Sequence, residues 1–188
     1  MLLKRTDRLF ELAATGNPWV VALRNTLLLP TLLRYAGMRK RMFRFISQLG
    51  IHYRGSPVVV EHGRWQGGPR AGERAPDASL RRGDEAVTLF EAVRGPEHHL
   101  LVFAGTAGNA DSSGELAKTM PFACGVVIIG RDAEPHHKYL ADADGQAHKL
   151  YGIPANGGVY LIRPDGYVGA RAPLTDASSV LARYASTF

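Results

Sequence analysis

Apolar residues recur along this chain with two different periods, and the change comes near residue 52. Before it they return at intervals of three and four, as on one face of an α-helix. After it they gather in short continuous runs, as in strands covered on both faces. In the first stretch Thr6 or Asp7 can cap a segment to about Ala14, Gly16 stops it, and Asn17-Pro18 offers an N-cap followed by proline at the first helical position. A second helix runs to about Leu29, where Pro30 is expected to interrupt it. Gly37 punctuates again. Met38, Met42, Phe45, Ile46 and Leu49 then draw the apolar stripe of an amphipathic helix over 38–49, with Arg39, Lys40, Arg41 and Arg44 mainly on its other side.

Beyond Tyr53 the pattern predicts strands and turns. Pro57 to Glu61 reads as a short β-branched strand, and His62 to Arg74 as a polar linking loop with four glycines and one proline. Val87 to Ala92 is a short apolar element behind an Arg82-Gly83-Asp84 turn. His99 to Ala104 predicts a buried strand, followed by a loop (Thr106 to Ser113), a short helix (Gly114 to Thr119) and a second buried strand (Ala123 to Ile129). Asp142-Ala143-Asp144-Gly145 makes a turn and Gln146 to Tyr151 a helical turn. Residues 157–171, GGVYLIRPDGYVGAR, carry the clearest signal. Val159 to Ile162 is continuous and apolar, Arg163-Pro164-Asp165-Gly166 has the residues of a hairpin turn, and Tyr167 to Arg171 alternates bulky with small. One face of that return strand is therefore expected in solvent, near the sheet edge. Asp176 is expected to cap a last helix through about Tyr184.

Strand, helix, strand, connection, hairpin, helix is the order of an α/β, thioredoxin-like mixed sheet with flanking helices. The expected organisation is a helical segment over 1–52, a linker with a short strand over 53–74, and a thioredoxin-like domain over 75–188. At 188 residues, 45% hydrophobic and 21% charged, the chain has room for one core plus an appendage. The net charge of +6 comes wholly from residues 1–50, where nine Lys or Arg face only Asp7 and Glu11. A basic amphipathic helix can bind nucleic acid, lie on a membrane or pack on another domain. With no recognition motif present, packing is the default, so neither nucleic-acid binding nor peripheral membrane contact is expected. The most apolar window, Pro18 to Leu33, is broken by Arg24 and Pro30, so no transmembrane helix is expected either. A single cysteine, with no secretory signal pattern, points to a reducing, cytoplasmic setting.

Few residues offer chemistry. A thioredoxin-like redox enzyme needs an exposed thiolate after its first core strand, and the stretch Gly105 to Ser113 holds no cysteine. Cys124 falls inside the second buried strand, where it reads as a small hydrophobe. The pairs His98-His99 and His136-His137 are adjacent, so on a strand their rings point to opposite faces and form no ready chelate. Asp111, Ser112 and Ser113 read as a helix-capping loop. Ile153-Pro154 precedes the hairpin where thioredoxin-like folds often hold a cis proline. No catalytic, cofactor-binding or metal-ligating residue is assigned.

The stretches GERAPD (72–77), HLLVFA (99–104), ADADGQAHKLYGI (141–153) and VYLIRPDGYVGAR (159–171) together resemble the C-terminal thioredoxin-like domain of FAD-dependent aromatic-ring monooxygenases, the phenol hydroxylase and polyketide hydroxylase group. TDRLF (6–10), NPWVVALRN (17–25) and SQLGIHYRGSP (47–57) resemble the helices that close the substrate domain of that family and lead into its last domain. The resemblance implies a noncatalytic structural or oligomerisation domain. FAD and NAD(P)H belong to a catalytic half whose Gly-x-Gly-x-x-Gly turn is absent from this sequence; Asp144-Gly145 and Asp165-Gly166 are turn pairs and not flavin motifs. The implied partner is that flavin-binding domain, or a second copy of the chain, through the N-terminal helices. The alternative is a free-standing thioredoxin-like binding or regulatory module for a partner protein or an aromatic ligand.

Overall fold

Asn17 begins the first helix for the reason its sequence suggests: its side-chain oxygen accepts the Trp19 N–H at 3.0 Å, and Pro18 takes the first helical position, where no donor is needed. The computed structural model describes residues 14–46, 52–65, 67–105, 117–118, 120–131 and 139–188. The expected segment from Thr6, the loop and helix from Thr106 to Thr119 apart from Ala117 and Lys118, His136-His137 and Leu49 lie outside the described residues. The chain divides into two units, Met1–Ile51 and His52–Phe188.

In the first unit, α1 (Pro18–Leu23) does not stop at Pro30. A π-helical segment, Arg24–Leu28, widens the spiral by one residue, and α2 (Leu29–Arg34) carries Pro30 in its first turn. The Leu29 N–H reaches back to the Arg24 carbonyl, so the wider turn absorbs the missing proline donor that was expected to break the helix. The break falls at Tyr35, which is extended, and α3 (Ala36–Ile46) contains Gly37 rather than beginning after it.

The second unit is built on an eight-stranded sheet, counted among the described residues. Its strands are β1 (Val60–Glu61), β2 (Ser79–Arg82), β3 (Glu85–Thr88), β4 (His98–Phe103), β5 (Cys124–Gly130), β6 (Tyr139–Ala141), β7 (Gly158–Ile162) and β8 (Val168–Pro173), in the spatial order β1-β8-β7-β4-β5-β6-β2-β3. β4, β5 and β6 run parallel, β7 pairs antiparallel to β4, and β8 pairs antiparallel to β7. This is the thioredoxin-like mixed sheet. α4 (Leu89–Ala92) starts at a capping box between Thr88 and Glu91, α5 (Gln146–Tyr151) lies before β7, and α6 (Ala177–Ala185) closes the chain.

Successive residues of β4 enter opposite cores. Leu100 and Val102 pack with Val159, Leu161, Leu181 and Tyr184, whereas Leu101 and Phe103 pack with Ile129, Tyr151, Tyr160 and Leu89. Both faces are covered, which is why β4, β5 and β7 read as continuous apolar runs.

In the second unit three further expectations differ from what is found. β8 is buried on both faces from Val168 to Ala172. Its small residues mark close packing instead of exposure: a Cβ on Gly169 would meet the Tyr184 ring at 2.7–2.8 Å, and β1 covers the free edge by pairing Val60 with Ala170 and Glu61 with Arg171. The Ile153–Pro154 bond is trans, since no described peptide bond is cis. Asp176 precedes α6 but makes no side-chain cap; a 3₁₀ turn, Leu174–Asp176, leads into the helix and the carboxylate lies 3.6 Å from His62 instead.

Candidate functional site

The carboxyl end of β4 is where a thioredoxin-like enzyme would place its thiol, and here it is bound up in backbone packing. A Cβ on Gly105 would meet the Ala155 carbonyl and Asn156 at 2.7 Å, and one on Gly157, at φ +82°, would meet the Phe103 carbonyl at 2.7 Å. Both glycines bring main chain against main chain.

Beside this junction lies a carboxylate and imidazole pair that the sequence did not single out. The turn after β6 carries Asp142, whose Oδ1 accepts the Ala147 N–H at 3.1 Å and whose Oδ2 accepts the His148 N–H at 2.8 Å. The same Oδ2 is 2.5 Å from His148 Nδ1, and Nε2 of that ring lies 3.3 Å from the Ala104 carbonyl. Asp142 therefore ties the first turn of α5 to itself, and His148 ties α5 to the end of β4. Burial pushes the Asp142 carboxyl upward, but the His148 N–H, the His148 ring and the Ala147 N–H together outweigh it and hold the group below its ordinary value of 3.8. With Nδ1 on the carboxylate and Nε2 directed at a main-chain carbonyl, both ring nitrogens are engaged in holding α5.

A carboxylate depressed in the folded state contributes stability that is complete above its unfolded value and disappears as pH falls through the folded one. Urea midpoints are therefore expected to fall as pH drops below about 4. Asp142→Asn should cost about 2 kcal/mol at pH 7 and flatten that acid decline. Equal acid slopes in the two proteins would remove Asp142 as its source.

A second buried network lies beneath Trp65 and Gly67. Arg171 on β8 is 3% exposed. Its guanidinium donates to Glu61 Oε1 at 2.7 Å, to the Gly67 carbonyl at 3.1 Å and to the Tyr160 hydroxyl at 3.4 Å, and it stacks over Trp65 at 4.9 Å. The Tyr160 hydroxyl donates to the Tyr151 carbonyl at 2.6 Å, and the Tyr151 hydroxyl to the Pro76 carbonyl at 2.7 Å. Burial raises the Tyr160 phenol to about 12, against the opposing pull of Arg171, and holds the Tyr151 phenol well above its usual range. Both stay protonated donors. The only signal for this network in the sequence was an arginine between two alanines in a strand.

Of the residues weighed for chemistry, Cys124, His98 and His99 are described, and His98 and Cys124 are register partners on β4 and β5. Cys124 starts β5, and burial raises its thiol to about 11, the reverse of what a nucleophile needs. His98 and His99 do face opposite sides of β4. His98 stacks on Phe122 with centroids 4.1 Å apart and approaches the Tyr184 hydroxyl at 3.3 Å, while His99 is buried 3.6 Å from Glu97. Burial lowers the affinity of both imidazoles for a proton, with Glu97 partly opposing it at His99. Among the described residues no three His, Cys, Asp or Glu side chains are grouped as a metal would require. No described helix is long and apolar enough to cross a membrane.

Comparison with known proteins gives a consistent result. Residues 68–188 match the family described as aromatic-ring hydroxylase, C-terminal. The chain is 30% identical over 139 residues to a flavin-dependent monooxygenase of Mycobacteroides abscessus, covering 74% of this chain and 22% of that protein. It is 30% identical over 135 residues to pentachlorophenol 4-monooxygenase of Sphingobium chlorophenolicum, covering 69% of this chain and 24% of the relative. Among solved structures it superposes on the flavin-dependent monooxygenase PieE, determined with FAD and substrate, with a TM-score of 0.61 at 21% identity over 95% of this chain and 31% of that one. BexE gives a TM-score of 0.57 at 24% identity over 98% of this chain and 32% of its own length. The chain thus spans about a fifth to a quarter of the curated relatives it matches.

Proposed function

Because the chain belongs to the aromatic-ring hydroxylase C-terminal family, we propose that it works as a noncatalytic scaffold domain of a flavin-dependent aromatic-ring hydroxylase. FAD and NAD(P)H would be handled by residues outside this chain, in the reducing cytoplasm. The observation that carries this reading is the carboxyl end of β4, where Gly105 and Gly157 are filled by main chain and the Asp142–His148 pair is spent on holding α5. These residues do not fit a flavin. A phosphate cradle needs free N–H groups at a glycine-rich turn between strand and helix, whereas Gly105 and Gly157 serve chain packing.

The first unit supports a partner. Trp19, Leu23 and Leu27 are 83%, 60% and 63% exposed at four-residue spacing, an apolar stripe that soluble proteins normally cover. Its proposed occupant is the flavin-binding half of the hydroxylase or a second copy of this chain.

One preparation tests the reading. Purified with excess FAD, the chain is expected to carry no flavin absorbance and to leave NAD(P)H unoxidised in the presence of phenols. Light scattering on the same sample is expected to show association or aggregation. Stoichiometric flavin or phenol-dependent NAD(P)H oxidation would overturn the noncatalytic role, and a strictly monomeric, nonaggregating chain would remove the need for a partner.

A further inference from the structure

A cleft of about 190 Å³ opens between the Arg163–Gly166 turn and the end of α4 in the second unit. Its floor is Ile162, buried in β7, and its walls include Phe90, Val93 and Pro164. Phe90 is 37% exposed, so part of an aromatic ring faces the opening. The volume is below the roughly 300 Å³ of a drug-sized site and suits a single ring with a short polar group.

The charges around this cleft are unequal. Arg163 donates to Asp165 Oδ2 at 2.6 Å and lies over the Tyr53 ring at 5.7 Å, while Asp165 Oδ1 accepts the Tyr167 N–H at 3.3 Å. Those two charges answer each other. Arg74 is exposed, and its side chain has no ion pair or hydrogen bond among the described residues. Its backbone is nevertheless fixed. Residue 74 bridges to Tyr167, the Val168 N–H donates to the Glu73 carbonyl at 2.8 Å, and the Ala75 N–H donates to the Gly166 carbonyl at 2.9 Å. An apolar crevice with an aromatic wall therefore carries at its rim one arginine on a fixed backbone, its charge unpaired among the described residues.

We propose that this cleft binds a small aryl carboxylate, its ring against Phe90 and Ile162 and its carboxylate on Arg74. The planar fork of a guanidinium suits a carboxylate better than a neutral polar group, and an apolar ring against Phe90 removes surface from water on both partners. The proposal is independent of the scaffold reading, since it needs neither flavin nor a partner protein.

The test is an amide chemical-shift titration of the ¹⁵N-labelled full chain with benzoate and with benzyl alcohol, in wild type and Arg74→Gln. Benzoate is expected to give saturable shifts at Val93, Gly166 and Tyr167 with a dissociation constant on the order of 1 mM. Benzyl alcohol, and benzoate with Arg74→Gln, should each bind about fivefold more weakly, as for the loss of an exposed charge pair. Arg74 is exposed, so the variant spectrum should overlay that of wild type away from the cleft. Shifts that fail to saturate or lie elsewhere, or equal affinity across the three pairings, would overturn the proposal.

Discussion

Replacing Gly68 by alanine is expected to lower the stability of the His52–Phe188 unit by about 4 kcal/mol, a large fraction of the total stability of a domain of this size. Gly68 has φ +71°, a left-handed conformation that costs an L-residue about 1–2 kcal/mol. The larger part is steric. A Cβ there would run into the Tyr151 main-chain carbonyl and come within 2.8 Å of the Tyr160 hydroxyl, and neither can retreat. The carbonyl ends α5, and the hydroxyl is held by that same carbonyl and by Arg171. Overpacking against fixed atoms adds about 1–3 kcal/mol. Gly166 separates the two terms, because it has φ +79° but open space around its Cβ position. Gly166→Ala should cost about 1 kcal/mol, so urea titration of both variants isolates the contact. Equal losses would mean that Gly68 is not packed against the end of α5.

That contact explains what could and could not be read from the amino-acid pattern. β4, β5 and β7 were legible because both their faces are buried, leaving unbroken runs such as Leu100 to Phe103 and Val126 to Ile129. α5 was legible because the Asp144-Gly145 turn and Gly152, both glycines at positive φ, bound it. β2 and β6 were not. β2 reads Ser-Leu-Arg-Arg with one buried residue, and β6 has three residues, so each is a strand only because a neighbour supplies its ladder. The same holds for chemistry. The absence of a thiol after β4 was plain in the sequence, whereas the Asp142–His148 clamp needs a turn and a helix to bring it together, and Arg171 looked like a solvent-facing residue until β1 and Trp65 covered it. Alternation of large and small in β8 was misleading for a related reason: small residues report a close neighbour as readily as they report solvent.

Glu61→Leu is expected to cost about 3 kcal/mol, and the loss should shrink when Arg171 is changed with it. The first change leaves a guanidinium in the core with its main anionic partner gone and its Nε already without a bond, so the desolvation of a full charge is no longer answered. It also frees the Ala71 N–H, which Glu61 accepts at 3.1 Å. Fully buried pairs cost about 3–5 kcal/mol when one partner is removed, and the 38% exposure of the Glu61 side chain places this one at the lower end, because water can reach part of the guanidinium. Arg171→Met alone keeps an apolar stem against Trp65 and leaves Glu61 to turn toward solvent, so about 1–2 kcal/mol is expected. Combined with Glu61→Leu it removes both charges and fills the space with apolar atoms, which should return about 2 kcal/mol relative to Glu61→Leu alone. A double-mutant cycle in urea reads the coupling directly. Strict additivity would show that Arg171 is held by the Gly67 carbonyl, Tyr160 and Trp65 without help from Glu61, and the role of β1 would then reduce to covering the edge of β8.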